Sequence, residues 1–492
     1  MEIVAYEGQP STDAEYLDSC VELIGSQGAF LQLSGWARNP GTGRPGCLVI
    51  VTDEQRNILA EGAVTDYRPD VACHYEDPLM SICGWSVVLP KSALSAGEHR
   101  LSAYTVDHPA AGIAYKLGGS FPVVIDSCNA PSLPSNAVPP PTCLRPSTRD
   151  ENERLNLDEQ AAGRTALDSY PTALLLELTL RCNLNCIMCY RYNSGLDGEI
   201  PEELYKRVKT TLFPRTTHVS FASRGGEPTL YSRWREVVQD VQSHGLKARL
   251  VTNGTLLDSV QIRELVDAGF SVDFSIDGAE PRTYQYLRGT SLSAVAKHVQ
   301  EFVSYARSCG NRTARAAVRF TPMLINLREM PKMIDRVEEW GVDTLMVQKF
   351  SPLNAYVDKH WSPENDPALM KRIYDETARR AADRHVTLFV GEELIYAPGV
   401  SHPAADPRPE VPRLGCTWPF SDAMILLSGS VAPCCFGAPL MGYLQHQNFE
   451  QIWNGEAWRE LRRRLATGDP PDCCKNCHLL RKEGARQKEN PH

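Results

Sequence analysis

The sequence predicts an α/β architecture: a partial (β/α)6 TIM-like barrel, preceded by an all-β sandwich and followed by a small cysteine-rich domain. Three observations carry this expectation. The chain has 492 residues, enough for about three domains at ~150 residues each. Six strand-then-helix units follow one another from residue 173, the grammar of parallel strands with right-handed crossovers. Nine of the 16 cysteines fall into two short groups, one inside the first of those units and one near the C-terminus.

Composition narrows the function classes. With 51 Lys+Arg against 60 Asp+Glu the net charge is −9, which argues against a protein that coats nucleic acid. The hydrophobic share of 42% and charged share of 23% suit a folded globular chain rather than long disorder. No apolar run approaches the ~20 residues a membrane-spanning helix needs. The acidic start MEIVAYEGQPSTDAEY lacks a signal-peptide pattern, so a cytoplasmic location is expected. In a reducing cytosol, clustered cysteines point to metal or redox work rather than to disulfides.

Residues 1–126 read as a β-sandwich of immunoglobulin-like character. FLQLSGWA, CLVIVTD, GWSVVLP, HRLSAYTVD and SFPVVID are short apolar runs parted by Gly/Pro/Asp punctuation. Residues 127–172 read as a Pro-rich linker, with six prolines in the 16 residues from Pro131 to Pro146. The barrel is expected over 173–395. Its strands are LLLELTL (174–180), HVSFAS (218–223), KARLVTN (247–253), SVDFSID (271–277), RAAVRFTPM (315–323) and TLMVQKF (344–350). Six units rather than eight leave the barrel open, with ligands at the carboxyl ends of the strands. Residues 396–492 form the cysteine-rich tail, with one clear helix in FEQIWNGEAWRELRRRLATG.

Directly after the first barrel strand, Cys182, Cys186 and Cys189 stand as C-x3-C-x2-C. Three thiolates on one tight loop suit a [4Fe–4S] cube and leave the fourth iron open to a ligand that is not protein. A structural zinc site closes with four ligands, so zinc here requires a borrowed fourth ligand.

This loop, on the first strand of a six-unit barrel, resembles that of the radical S-adenosylmethionine (radical SAM) enzymes, and further motifs follow in order. Ser223-Arg224-Gly225-Gly226-Glu227-Pro228 ends the second strand and is similar to the family's Gly-Gly-Glu-Pro element. The resemblance implies that the glycines admit close backbone approach and that Glu227 accepts hydrogen bonds from the SAM ammonium. It also places Asn253 at the end of the third strand, Ser275 and Asp277 as polar contacts to the ribose at the end of the fourth, and Arg288 against the SAM carboxylate. Met188, before the third cysteine, stands where an aromatic often packs on the adenine. Arg224 departs from the small or hydroxyl residue often found there, which leaves a substrate contact or a surface ion pair open. The chemistry implied is reductive cleavage of SAM to a 5′-deoxyadenosyl radical that removes a substrate hydrogen atom.

The tail cysteines Cys416, Cys434, Cys474 and Cys477 give C-x17-C-x39-C-x2-C. This set resembles the SPASM domain, or its shortened form called twitch, and implies one auxiliary [4Fe–4S] cluster. Trp418-Pro419 and Ile452-Trp453-Asn454-Gly455 agree with the likeness. Cys435 and Cys473 leave open which member of each doublet is the ligand, and a four-cysteine zinc site uses the same residue types. The auxiliary cluster is expected to accept an electron from a substrate radical.

Other residues carry weaker signals. Cys309 is expected to pack at a helix end, and His74, His218, His478 and Asp77 to be ordinary surface or core groups. Gln348 and Lys349 end the sixth strand and are candidates for adenine or substrate contact. No catalytic acid or base is nominated. The expectation is therefore a radical SAM oxidoreductase that oxidises or epimerises a sugar- or aminocyclitol-like molecule, served by a flavodoxin- or ferredoxin-type electron donor. Two alternatives stand beside it: a radical SAM peptide maturase, and a non-catalytic zinc-binding interaction protein. Anaerobic reconstitution is expected to give a brown protein with about eight irons per chain, two cubes' worth. Colourless, zinc-loaded protein from strictly anaerobic purification contradicts the enzyme reading.

Overall fold

The computed structural model describes residues 19–27, 30–38, 48–55, 58–67, 82–90, 94–106, 114–125, 146–189, 198–222, 225–350, 359–391, 393–396, 416–434, 441–445, 447–471, 474 and 477. The chain divides into two compact units. The first holds residues 1–138 with two short pieces, 193–196 and 352–362, and the second holds the rest.

The first unit is an antiparallel sheet. Its strands are β1 Ser19–Gln27, β2 Phe30–Ala37, β3 Leu48–Thr52, β4 Ile58–Tyr67, β5 Ile82–Pro90, β6 Gly97–Val106 and β7 Ala114–Ile125, in the order β1-β2-β5-β4-β3-β6-β7. The first half of β4 pairs with β3 and its second half, past a bulge, with β5. Leu33, Val51, Trp85, Leu101 and Ile125, from five strands along the sheet, share one core, so the sheet closes around a common interior. All five expected runs are strands. β1 and β4 are additions, because SCVELIGSQ and ILAEGAVTDY mix small and charged residues and lack clean alternation.

The second unit begins inside the segment expected to be linker. Helix α1 spans Arg149–Ala161, its first turn capped by Thr148, which accepts from Glu151 N. Its buried face is polar: Asn152, Asn156, Glu159 and Gln160. Asn152 Nδ2 donates to Tyr170 O and Arg215 O, both at 3.1 Å. Asn156 Nδ2 donates to Ser169 Oγ at 2.9 Å and to Phe420 O at 2.7 Å. Glu159 accepts from Ser169 N and from Ser169 Oγ. A helix that packs through amides shows no apolar stripe, which is why RDENERLNLDEQA reads as loop.

The barrel strands are β8 Ala173–Leu176, β9 His218–Phe221, β10 Lys247–Thr252, β11 Ser271–Ser275, β12 Ala316–Phe320 and β13 Thr344–Val347, each parallel to the next. These are the six expected strands, shortened at their carboxyl ends where the backbone turns into site loops. Helices α2 Glu202–Leu212, α3 Trp234–His244, α4 Ser259–Asp267, α5 Pro281–Arg288, α6 Leu292–Ser308 and α7 Met330–Glu339 make the crossovers. Their apolar stripes, such as Leu292, Val295, Val299, Phe302 and Ala306 on α6, join one core with Val219, Leu250, Phe274, Val318 and Leu345 of the strands.

The sheet then runs beyond the six units at both edges. After α8 (Pro367–Asp383), β14 (Thr387–Val390) adds a seventh parallel strand, and β15 (Glu393–Tyr396) pairs with it antiparallel. On the opposite edge β16 (Asp422–Ile425), from the tail, lies parallel to β8, followed by β17 (Ser430–Ala432) and β18 (Gly442–Tyr443). The tail is thus continuous with the barrel sheet. It adds three helices: α9 Trp418–Ser421, α10 Phe449–Trp453 and α11 Glu456–Ala466.

The polar face of α1 gives a stability test. Asn156→Ala removes two buried donors and leaves Phe420 O and Ser169 Oγ without them, a loss of about 2–3 kcal/mol. The urea midpoint of the mutant is expected to fall accordingly, and an unchanged midpoint contradicts the packing role of α1.

Candidate active site

The three cysteines sit on an irregular loop after β8, pressed against the end of α5. Ile187 N donates to Leu287 O at 3.1 Å, Cys186 Sγ lies 3.9 Å from Arg288 O, and Cys189 N donates to Cys186 O at 3.0 Å. Two N–H groups face Cys182 Sγ: Leu184 N at 3.5 Å and Asn253 Nδ2 at 3.9 Å. Asn253 Nδ2 also donates to Asn183 Oδ1 at 3.0 Å, so the residue directly after β10 holds the cysteine loop by its first half. Cys186 is only 8% exposed. Burial pushes its thiol up to about 11, Arg288 pulls the other way, and Cys189, Asp277 and Cys182 add to the rise.

Gly226 lets this loop and the end of β9 meet. A Cβ there falls 2.0 Å from Thr179 O and 2.8 Å from Thr179 C, both backbone atoms. Next to it Glu227 N donates to Arg181 O at 2.7 Å. The Glu227 side chain, expected to meet the SAM ammonium, is 2% exposed. It accepts from Thr229 Oγ1 at 2.8 Å, Thr252 Oγ1 at 2.7 Å and Asn253 N at 2.7 Å. Burial raises its pKa while these hydrogen bonds oppose the rise. Its work is to tie the ends of β9 and β10 together.

Asp277, expected to contact the ribose, is buried as well. Its Oδ2 accepts from Arg288 Nε at 2.6 Å and pairs with Arg288 Nη2, and its Oδ1 accepts from Thr321 N at 2.7 Å. With a side chain 1% exposed and both oxygens engaged, it aims Arg288 and ties the end of β11 to that of β12. Burial works against the Arg288 charge, yet Asp277, Cys186 and Tyr284 hold its pKa above the ordinary arginine value. Asn326, which carried no sequence signal, completes the brace by donating to Asp277 O at 2.8 Å and Thr321 O at 3.0 Å. Ser275 and Met188 are half-buried.

Tyr284, also unsignalled by sequence, is fully buried, and its Oη has no hydrogen-bond partner among the described residues. It interacts electrostatically with Arg288, Asp277 and Cys186. An orphaned hydroxyl beside a positioned guanidinium and a thiol loop fits a site that receives a polar ligand. The donor set fits as well: three sulfurs, N–H groups toward one of them, and a buried thiol whose ionisation calls for a nearby positive centre.

The remaining expected residues are placed as follows. Lys349 is exposed and paired with Glu364 at 3.1 Å, and Gln348 N donates to Phe320 O. His218 is exposed at the start of β9, and Cys309 is exposed at the end of α6. Ser223, Arg224, His74, Asp77 and His478 lie outside the described residues, as do Cys435 and Cys473.

In the tail, Cys416 precedes α9, Cys434 follows β17, and Cys474 and Cys477 share a turn in which Cys477 N donates to Cys474 O at 2.9 Å. The turn of Cys416 is held by Arg462 of α11, which is wholly buried. Its Nε donates to Pro419 O at 2.8 Å, and its Nη1 donates to Trp453 O at 2.9 Å and Thr165 O at 3.0 Å. The guanidinium stacks 4.3 Å from the Trp453 ring centre and 5.6 Å from that of Trp458. Among the described residues no group of three His, Cys, Asp or Glu side chains closes on a single metal ion.

Comparison with known proteins agrees with this geometry. Residues 176–337 match the Radical SAM superfamily, and residues 416–478 match the SPASM iron-sulfur cluster-binding domain. A tungsten-containing aldehyde ferredoxin oxidoreductase cofactor-modifying protein of Pyrococcus furiosus is 29% identical over 185 residues, 37% of this chain and 52% of that one. The PqqA peptide cyclase of Xanthomonas campestris is 26% identical over 320 residues, 62% of this chain and 79% of that one. The chain spans about half the length of the first of these relatives. Streptococcus suis SuiB bound to its precursor peptide SuiA superposes with a TM-score of 0.48 at 15% identity, over 67% of this chain and 74% of that one. The chain carries a radical SAM domain followed by a SPASM domain, with SAM, a [4Fe–4S] cluster and an auxiliary [4Fe–4S] cluster as their cofactors.

Gly226→Ala places a methyl group against the Thr179 backbone and displaces the cysteine loop. After anaerobic reconstitution the variant is expected to hold about four irons per chain in place of about eight. A full iron complement contradicts the close-approach role of Gly226.

Proposed function

We propose that the chain is a radical SAM enzyme that modifies a peptide. The observation that carries this reading is the likeness to a peptide cyclase over 62% of this chain and 79% of the relative. The sugar- or aminocyclitol-like substrate expected from sequence gives way to it, because the relatives reported above are named for peptide cyclisation and for cofactor modification.

In this reading Cys182, Cys186 and Cys189 hold the first cluster. When bound, that cluster and SAM supply a 5′-deoxyadenosyl radical, given one electron from a flavodoxin- or ferredoxin-type donor. The chain's own residues set the geometry. Gly225 and Gly226 present backbone to the SAM amino acid, and Arg288, aimed by Asp277, takes its carboxylate. Ser275 and Asn253 offer polar contacts at the ends of β11 and β10, and Met188 offers an apolar one. Asp277 and Glu227 act only through the residues they hold. Cys416, Cys434, Cys474 and Cys477 hold the auxiliary cluster, Cys435 and Cys473 being the other candidates in their doublets. Its role is to take one electron from the substrate radical, which leaves the substrate oxidised. The front sheet, residues 1–126, is read as an immunoglobulin-like module, 173–395 as the barrel and 396–492 as the auxiliary-cluster domain, all in the cytoplasm. No helix among the described residues is long and apolar enough to cross a membrane.

Two variants separate the clusters' roles. Cys182→Ala is expected to abolish 5′-deoxyadenosine formation from SAM and dithionite. Cys416→Ala is expected to keep measurable SAM cleavage while losing peptide product. Equal loss of both activities in the two variants contradicts an electron-accepting tail cluster.

A further inference from the structure

The strands β10, β11 and β12 alternate strictly between two faces. Leu250, Val272, Phe274, Val318 and Phe320 lie in the core shared with the helices. Arg249, Asp273, Ser275 and Arg319 therefore lie on the opposite face, the interior of the barrel. There Arg319 Nε donates to Asp273 Oδ2 at 2.6 Å, and Arg249 Nε stands 3.6 Å from the same oxygen. Asp273 is 2% exposed and Arg319 18%, while Arg249 is 47% exposed.

Three features separate this pair from an ordinary interior ion pair. First, the Arg319 fork is half used: its Nη1 and Nη2 have no hydrogen-bond partner among the described residues. Second, its level in the barrel is that of the site. Arg319 is in register with Ser275, the last residue of β11, and with Met346 on β13, one residue before the carboxyl end of β12. Third, two guanidiniums, those of Arg249 and Arg319, share one carboxylate, Asp273, on the inner face of β10 to β12. The carboxylate of SAM is already claimed by Arg288 in the reading above, which leaves the second guanidinium for another anion.

We propose that Arg319, aimed by Asp273, is the recognition site for a carboxylate on the substrate. This rests on the peptide reading, where the group is an Asp or Glu side chain or a chain terminus. A planar guanidinium with two N–H groups left unused matches a carboxylate in bidentate fashion, which a lysine cannot reproduce. Asp273 is a positioning residue, because the side chains its carboxylate pairs with among the described residues are the two arginines.

The test uses the full-length, reconstituted, SAM-loaded enzyme and three probes: N-acetyl-glutamate N-methylamide, its glutamine counterpart, and glutarate. Binding is followed by calorimetry, with SAM affinity measured beside it. The wild type is expected to prefer the glutamate unit over the glutamine unit by about tenfold or more. Arg319→Met is expected to erase that preference while keeping SAM affinity, and Arg319→Lys to retain part of it. Asp273→Asn is expected to weaken the preference without erasing it. Equal binding of the two units by the wild type, or a preference that survives in Arg319→Met, overturns the proposal. So does loss of SAM affinity in Arg319→Met, which places the residue on the cofactor. Glutarate that binds as tightly as the glutamate unit, with the same dependence on Arg319, supports the carboxylate site and counts against the peptide reading.

Discussion

Two buried carboxylates, Glu227 and Asp277, hold the ends of four neighbouring strands in register beneath the cysteine loop, and the rest of the site is built on them. Glu227 gathers Thr229, Thr252 and Asn253, joining β9 to β10. Asp277 gathers Arg288 and Thr321, joining β11 to β12. Asn253 touches the cysteine loop at Cys182, and the Arg288 backbone oxygen touches it at Cys186, beside the Ile187–Leu287 hydrogen bond. A carboxylate without its donors in such a place costs several kcal/mol, so each brace is stable only when complete. That makes the thiol loop's geometry a property of the barrel ends rather than of the loop itself.

The barrel and the cysteine loop were legible because their signals are local. Alternating apolar runs fix strand faces, the helical stripes fix crossovers, and C-x3-C-x2-C is a spacing with few other uses. What stayed hidden depends on distant partners. Helix α1 packs by amide hydrogen bonds to Tyr170, Arg215 and Phe420, so its sequence looks like a solvated linker. The α8–β14 unit was passed over, and the pairing of β16 with β8 is a contact between residues more than 240 positions apart. Glu227 and Asp277 lie in the loops after β9 and β11, and what sequence does not show is their inward hydrogen bonds. Sequence shows an acid near a cofactor site, whereas burial and hydrogen bonding decide whether it faces the cofactor or the protein. Tyr284 and Asn326 carry no motif, and only the fold brings them beside Asp277.

The tail extends the same logic. β16 continues the barrel sheet past β8, and α1 reaches Phe420 directly, so the second cysteine group is fastened to the first by backbone pairing and by buried amides. Arg462 adds a third fastening. It gathers carbonyls from Thr165, Pro419 and Trp453 inside an aromatic cage, which lets a buried cation stand without a carboxylate hydrogen-bonded to it among the described residues. The tail is thereby built into the sheet of the barrel, the arrangement that the proposed electron-accepting role calls for. The interior pair Arg319–Asp273 has the same form as Arg288–Asp277, a buried acid holding an arginine through its Nε.

The central claim is that the three-cysteine loop leaves one iron corner for the amino and carboxylate groups of SAM. The direct measurement is electron–nuclear double resonance on the reduced first cluster, with the tail cysteines Cys416, Cys434, Cys435, Cys473, Cys474 and Cys477 replaced so that only one cluster is present. The account predicts hyperfine coupling to the cluster from SAM labelled with 15N at the amino group and 17O at the carboxylate. A reduced cluster with no coupling to either label, its fourth iron closed by a protein ligand, contradicts it.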